Sequence, residues 1–197
     1  MSFVVTIDQK RSRLGLPGAE AFADHLNSVV ADGAARRFEV TVGDELQGVL
    51  LTSRALVDAI RIACADGHWW LGVGLGEVQL EASARRSSGP AFVHAREAVD
   101  RAKRLPWGLA VVGPTEKVRD LDRAFALWTT ILQDRSQKGW ETVELRRAGK
   151  SEIEIARRLR ITQQAVNQRL RAAHYLADEE GEVLLLSLAD EALREGG

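Results

Sequence analysis

The sequence predicts an α+β region at the front of the chain followed by an all-α region, because two kinds of periodicity occupy different parts of its 197 residues. Up to residue 113, short apolar runs rich in β-branched residues alternate with stretches whose apolar residues recur every three to four positions. These are the patterns of strands and helices respectively. After Pro114 only the helical period remains. Apolar residues make up 45% of the chain, which is typical of folded domains with packed cores.

The elements of the front region are predicted in the order strand, helix, strand, strand, helix, strand, helix, strand. The first strand, SFVVTI, ends at Asp8, and the breakers Gly15, Pro17 and Gly18 precede the first helix. ARRFEVTV and LQGVLL flank the turn residues GDE and predict a β-hairpin. A Ser-capped helix, the strand WWLGVGLGEVQL, a helix after SSGP and the strand WGLAVVG follow. This order predicts helices packed on one face of a mainly antiparallel sheet.

The chain is therefore divided into a front domain at residues 1–113, a connecting helix at 114–138 and a helical domain with a C-terminal helix at 139–197. The connecting helix is amphipathic, and such helices gain most of their stability from burying the apolar face. We expect it to pack on the front domain or on a second copy of itself.

Three short helices are predicted between Gly139 and Tyr175, with breaks at Gly149 and around Ile161. Ser151 and Glu154 have the spacing of a capping box, and a threonine at position 162 caps the third helix. This segment carries eight basic and four acidic side chains, whereas the tail from residue 176 carries seven acids and one arginine. A polyanion would therefore be attracted to the three helices and repelled by the tail.

The third helix has the polar side chains that read base edges in the major groove of DNA. Amides suit adenine and arginine suits guanine, and further cations, including Arg157, Arg158 and Arg169, suit phosphates. A three-helix packing unit with a solvated polar face is the alternative, although acids are absent from residues 157–175. The predicted DNA-binding residues are Lys150, Ser151, Arg160, Thr162, Gln163, Gln164, Asn167, Gln168 and Arg171.

The pattern S-x-x-E-I-A-x-x-L-x-I-T-x-x-A-V-x-x-R-L, which begins at Ser151, resembles the helix-turn-helix of sigma-factor region four and of many bacterial regulators. This resemblance implies double-stranded DNA as a partner. A homodimer is also expected, since one such motif reads only a few base pairs and palindromic sites match two-fold symmetry.

Acidic residues end the first strand and fill the hairpin turn. If the first strand lies beside the hairpin, Asp8, Asp44 and Glu45 converge at one end of the sheet, where carboxylate oxygens could hold Mg²⁺. Lys10, Arg11 and Arg13 lie in the adjoining loop and could face a triphosphate. Each acid could instead only end a strand or make a turn.

The strand ending in Asp8, the GDE hairpin, the GVGLGEV strand and the GPAFVHAR helix entry resemble the core of class III nucleotide cyclases and diguanylate-cyclase palm domains. With the helix-turn-helix, the whole chain is similar to the SatD-like bacterial family. The resemblance implies a ferredoxin-like, nucleotide-cyclase-like palm domain followed by the linker helix and the helix-turn-helix domain. It also implies a metal site at Asp8 and Asp44 and a purine nucleotide with Mg²⁺ as ligand. The nucleotide-binding residues would be Lys10, Arg11, Ser12, Arg13 and Arg96.

Two departures from the cyclase pattern predict a domain without turnover and hence without catalytic residues. The asparagine that acts in the transition state is replaced by Phe92, and a loop glycine that lets the backbone approach phosphates is replaced by Arg11. We therefore expect a transcriptional regulator with a nucleotide-sensing or dimerising front domain. The alternatives are a purely structural dimerisation domain and a Mg²⁺- or Mn²⁺-dependent nucleotide cyclase or nucleotidyltransferase tethered to DNA.

A cytoplasmic location without membrane contact is expected, because the N-terminus lacks the pattern of a signal peptide or a membrane span. The single cysteine, Cys64, excludes an internal disulfide and is predicted to be a core residue. The four histidines lack the spacing of zinc ligands.

Overall fold

The computed structural model describes residues 1–10, 18–41 and 43–195. Along the chain, five strands and eight helices are described within these ranges. In order they are β1 (Ser2–Gln9), α1 (Ala19–Val30), β2 (Ala34–Val40), β3 (Leu46–Leu50), α2 (Ser53–Asp66), β4 (Trp69–Gly76), α3 (Pro90–Ala102), β5 (Leu109–Val112), α4 (Glu116–Gln133), α5 (Gln137–Arg147), α6 (Glu152–Leu159), α7 (Gln163–Ala172) and α8 (Tyr175–Arg194). The predicted α+β class and the predicted order of strands and helices in the front region are confirmed.

The strands form one mixed sheet in the order β2-β3-β1-β4-β5. The central strand β1 is antiparallel to both neighbours, with Ile7 opposite Leu46 on β3 and opposite Leu71 on β4. β4 and β5 are parallel. The predicted hairpin is formed by β2 and β3, which are antiparallel and are closed by a hydrogen bond from Thr41 N to Glu45 O at 2.8 Å.

The main hydrophobic core lies on one face of the sheet. Phe3, Val5 and Ile7 alternate along β1 and point into this core, where they meet the apolar sides of α1, α2 and α4. Phe22 of α1 stacks on Trp69 with ring centroids 4.4 Å apart. Cys64 is buried in the same core, as predicted.

The expectation that all helices share one face of the sheet is wrong, because α3 covers the opposite face. A Cβ atom added to Gly72 or Gly74 of β4 would clash with the backbone of α3. The alanines Ala91 and Ala95 form the matching side of α3, and both are fully buried. Small residues on both elements therefore bring a helix close to the sheet on the face that carries Asp8.

The long helix predicted around residues 115–137 is α4, and it packs on the front region. Leu121, Phe125 and Trp128 of α4 are fully or almost fully buried in the main core. Leu185 and Ala189 of α8 lie in the same core, although α8 comes last in the chain. The three helices α5 to α7 have a separate small core. The C-terminal helix thus ties the three-helix unit to the front region.

Within the described part of the chain, no helix combines the length and the apolar composition needed to cross a bilayer.

Candidate nucleic-acid interface

The helices α6 and α7 are set by local signals that the sequence contains. The capping box is confirmed: Ser151 Oγ accepts from Glu154 N, and the Glu154 carboxylate accepts from Ser151 N at 2.8 Å. Arg160 ends α6 in the left-handed conformation, at φ 55°. Thr162 then caps α7 by accepting from Ala165 N at 3.1 Å. Hydrogen bonds therefore fix where α6 begins and ends and where α7 begins, after a turn of three residues.

The small core of the three-helix unit orients α7. Val143 of α5, Ile155 of α6 and Val166 of α7 are fully buried against one another, and Leu170 lies beside them. Burying this side of α7 turns its other side to solvent. One shallow depression on that exposed side is lined by Gln163, Gln164, Asn167, Gln168 and Arg171, which are all predicted base-reading residues.

An acid that the sequence analysis did not single out lies at the edge of this depression. Glu152, the first residue of α6, accepts hydrogen bonds from Gln163 Nε2 and from Asn167 Nδ2, both at 3.0 Å. The hydrogen bonds from these two amides hold the pKa of Glu152 below its usual range. The only sequence signal for this contact is the short turn predicted between α6 and α7, which keeps the two helices close together.

Exposed cations lie on α6, the helix before α7. Lys150, Arg157, Arg158 and Arg160 are exposed and form no ion pair with any described residue. Arg169, which was predicted to meet phosphates, instead approaches the carboxylate of Glu141 at 3.8 Å. These four cations lie on α6 and at its two ends, and none of them lines the depression on α7.

A buried ionic cluster, which we call the Asp178 cluster, fixes the three-helix unit to the front region. The carboxylate of Asp178 is fully buried and accepts from both terminal nitrogens of Arg61 on α2, at 2.8 and 2.9 Å. It also accepts from Arg135 Nη2 and from Trp128 Nε1, both at 2.9 Å. Arg135 donates in addition to the carbonyl oxygen of Ala173, which follows α7 directly. One carboxylate thus joins the front region, α4 and the end of α7.

Glu182, one turn further along α8, extends the Asp178 cluster. It binds Arg61 and Arg54 at 2.5 Å and Arg147 of α5 at 2.8 Å. Burial by itself would raise the pKa of both acids, and the paired arginines outweigh it, so the pKa values of Asp178 and Glu182 lie below their usual ranges. Each acid therefore has at least two arginine partners inside the protein, and Arg61 is shared by both.

The predicted nucleotide site in the front region is occupied by ion pairs within the chain. The register of β1 and β3 brings Asp8 to the level of Glu45, with Asp44 in the turn one residue beyond. Lys103, just after α3, binds Asp8 at 2.5 Å, and Arg96 of α3 pairs with Glu45. Arg96 is therefore engaged with an acid of the chain itself.

The described side chains do not fit a divalent cation at this end of the sheet. Among them, no three His, Cys, Asp or Glu side chains come together as a metal site, and the ammonium of Lys103 already neutralises Asp8. Lys10 lies over the ring of Trp70, 4.6 Å from its centroid, and burial lowers the pKa of its ammonium group. Arg11, Ser12 and Arg13 lie outside the described residues.

A comparison with protein families supplies independent information on the front of the chain. The model of the SatD family matches residues 19–126, more than half of the sequence. No curated protein and no solved structure matched the chain.

Proposed function

The chain belongs to the SatD family, and on that premise we propose that it is a transcriptional regulator that binds double-stranded DNA through α7. The family match ends before α5, so the DNA-binding part of the proposal rests on the three-helix unit itself. The observation that carries it is the exposed row of amides and Arg171 on a capped helix. A helix presenting such groups fits the major groove, where bases differ in their donors and acceptors.

The charges around α7 support the same function. Four exposed cations on α6 and at its ends, Lys150, Arg157, Arg158 and Arg160, form no ion pair with the described residues and are suited to phosphates beside a groove. A helix that merely faced solvent would gain nothing from leaving these cations without partners. Phosphate contacts position a protein on DNA, and base contacts select the sequence.

For the front region we propose a palm-like, non-catalytic domain. The elements from β1 to β4 follow the βαββαβ order with the strands arranged 2-3-1-4, as in ferredoxin-like palms. The ion pairs of Asp8 with Lys103 and of Glu45 with Arg96 disfavour metal-assisted phosphoryl transfer, which needs free carboxylates. A purine nucleotide remains our proposed ligand, and a melting shift of the purified protein with each nucleotide tests it.

We further propose that the regulator works as a homodimer. Leu176, Val183 and Leu184 are exposed on α8 at spacings that bring them to one side of the helix. An apolar stripe of this kind is suited to a second copy of the chain. The expected result is a dimer in sedimentation equilibrium that the substitution Val183→Glu dissociates; an unchanged mass for this variant would contradict the stripe as the interface.

The DNA proposal is tested by fluorescence anisotropy on duplexes selected from a random pool. Gln164→Ala and Arg171→Ala should each weaken binding to the selected duplex by about 1 to 3 kcal/mol, the usual loss for a bidentate base contact. Lys150→Ala should weaken binding to all duplexes alike and lower the dependence on salt by roughly one unit of log–log slope.

The matched controls are Gln79→Ala and Arg85→Ala, which change an exposed glutamine and an exposed arginine in the front region. Both should bind as the wild-type protein does. If Gln164→Ala and Arg171→Ala also bind the selected duplex with wild-type affinity, α7 is not the reading helix.

A further inference from the structure

The contacts of Glu152 determine how two of the amides on α7 are presented. Its Oε2 atom accepts from Gln163 Nε2 and from Asn167 Nδ2 at the same distance, 3.0 Å. Gln163 and Asn167 are four residues apart, so they lie one turn above each other on the same side of α7. A single carboxylate oxygen therefore bridges two successive turns of the helix.

These hydrogen bonds remove an ambiguity that side-chain amides otherwise have. An amide can turn over and exchange the positions of its oxygen and its nitrogen. An ionised carboxylate only accepts, so the nitrogen of each amide must face Glu152. The carbonyl oxygen and the second N–H of Gln163 and Asn167 are left in defined positions for an external partner.

Defined positions matter because base recognition depends on the order of donor and acceptor. Reading adenine in the major groove requires the amide oxygen at the N6 amino group and the amide nitrogen at N7. An inverted amide would present a donor to a donor and an acceptor to an acceptor. An amide that is already oriented also loses less conformational freedom when it binds.

The negative charge of Glu152 lowers the affinity for DNA, whereas its orientation of the amides favours base recognition. Glu152 lines a depression that adjoins the amide row and that also includes Arg146 and Arg171, and a carboxylate near the phosphate backbone is repelled by every duplex. Its presence there weakens binding in general. Loss of this acid should therefore strengthen binding to unrelated DNA while it weakens discrimination between sequences.

We propose that Glu152 is a positioning residue for base recognition, which holds Gln163 and Asn167 in one amide orientation and so sets the sequence preference of α7. This inference rests on the proposed function. It assigns no base contact to Glu152 itself.

The first test uses the free protein and needs no DNA. The side-chain NH₂ signals of Gln163 and Asn167 are followed by ¹⁵N NMR in wild-type protein and in Glu152→Ala and Glu152→Gln. Glu152→Ala should move both pairs of signals towards the positions of free, solvated amides, while Glu152→Gln, which keeps an acceptor, should give intermediate changes. Unchanged signals in Glu152→Ala would overturn the inference whatever the protein does with DNA.

The second test selects duplexes from a random pool with the full-length chain. Glu144→Gln is the control, because it removes one exposed acid from the three-helix unit and touches neither amide. Wild type and Glu144→Gln should enrich the same sequence. Glu152→Ala should bind unrelated duplex more tightly, and its ratio of specific to non-specific affinity should fall at least about fivefold, the lower bound for one misread base contact.

The outcomes separate the two proposals. If wild type enriches a sequence and Glu152→Ala enriches the same one with an unchanged affinity ratio, the positioning role is wrong and the DNA-binding function stands. If wild type enriches no sequence, both fail. A loss of affinity of Glu152→Ala for all duplexes, with a lower melting temperature, indicates a structural role and also overturns the inference.

Discussion

Replacing Asp178 by asparagine should destabilise the whole chain more than any change at its surface. The substitution keeps the shape of the side chain and removes the charge that four hydrogen bonds from Arg61, Arg135 and Trp128 share. The side chain of Arg135 has no exposed surface, and in the variant its guanidinium would keep only the carbonyl of Ala173 among these partners. A charge that is buried without its counter-ion is strongly unfavourable.

The expected loss follows from how buried each partner is. A hydrogen bond to a charged group is worth about 1.5 to 3 kcal/mol, but the four contacts of Asp178 do not add, because Arg61 keeps its pairing with Glu182. Breaking a buried ion pair by removing one partner costs about 3 to 5 kcal/mol. We therefore expect a loss of about 3 kcal/mol for Asp178→Asn and more for Asp178→Ala, which also leaves a cavity.

The loss is measured by urea unfolding, followed by circular dichroism and by tryptophan fluorescence, since Trp128 contacts the cluster directly. Glu180→Gln is the matched control, because Glu180 is an exposed acid of the same helix, and its unfolding midpoint should stay at the wild-type value. A loss below about 1 kcal/mol in Asp178→Asn, a value typical of exposed pairs, would refute the argument that the cluster holds the structure together.

Three further outcomes are expected. Gly74→Ala should destabilise the protein by at least about 2 kcal/mol, because overpacking against backbone cannot relax through a rotamer change. Gly18→Ala is the control, since a Cβ atom there meets nothing within 4 Å, and it should change the urea midpoint little. Equal midpoints for the two variants would contradict the close packing of α3 against the sheet. Cys64, whose thiol pKa burial raises to about 12, should not react with a thiol reagent at pH 8 until the chain is unfolded in urea, and rapid reaction of the native protein would show that this thiol is accessible. The pKa values of Asp178 and Glu182 are lower in the folded than in the unfolded chain. Their contribution to the free energy of unfolding should therefore be complete above the unfolded pKa values near 4 and be lost as the pH falls through the folded ones. Urea midpoints measured between pH 3 and pH 7 should drop at the acid end, and they should drop less in Asp178→Asn.

Local signals in the sequence were sufficient for the order of elements and for the caps of α6 and α7, whereas the predicted serine cap of α2 is wrong, because Thr52 caps that helix and Ser53 is its first residue. The capping box at Ser151 and the cap at Thr162 use hydrogen bonds between residues three apart, so a short window of sequence contains both partners. Local signals did not predict which face of the sheet α3 covers. Periodicity reveals that Gly72 and Gly74 share a face but not whether a helix or solvent lies there.

Long-range pairing accounts for most of what the sequence did not reveal. Asp178 and Glu182 belong to a tail that looks acidic and solvated, yet both pair with Arg61, which lies 117 and 121 positions earlier in the chain. In the same way, the lysine that binds Asp8 follows a helix predicted without any reference to that strand. Net charge over a segment therefore overstated how strongly the tail repels a polyanion, since two of its acids are already neutralised inside the protein.

The junction between α7 and α8 also limits how α7 can move. Only Ala173 and the left-handed His174 separate the two helices, and α8 is embedded in the main core along its second half. α7 is thus held rigidly relative to α8 rather than joined to it by a flexible linker. In a two-fold assembly the distance between the two α7 helices would be dictated by the bodies of the subunits, so a change of operator spacing would require a remodelled body instead of a longer linker.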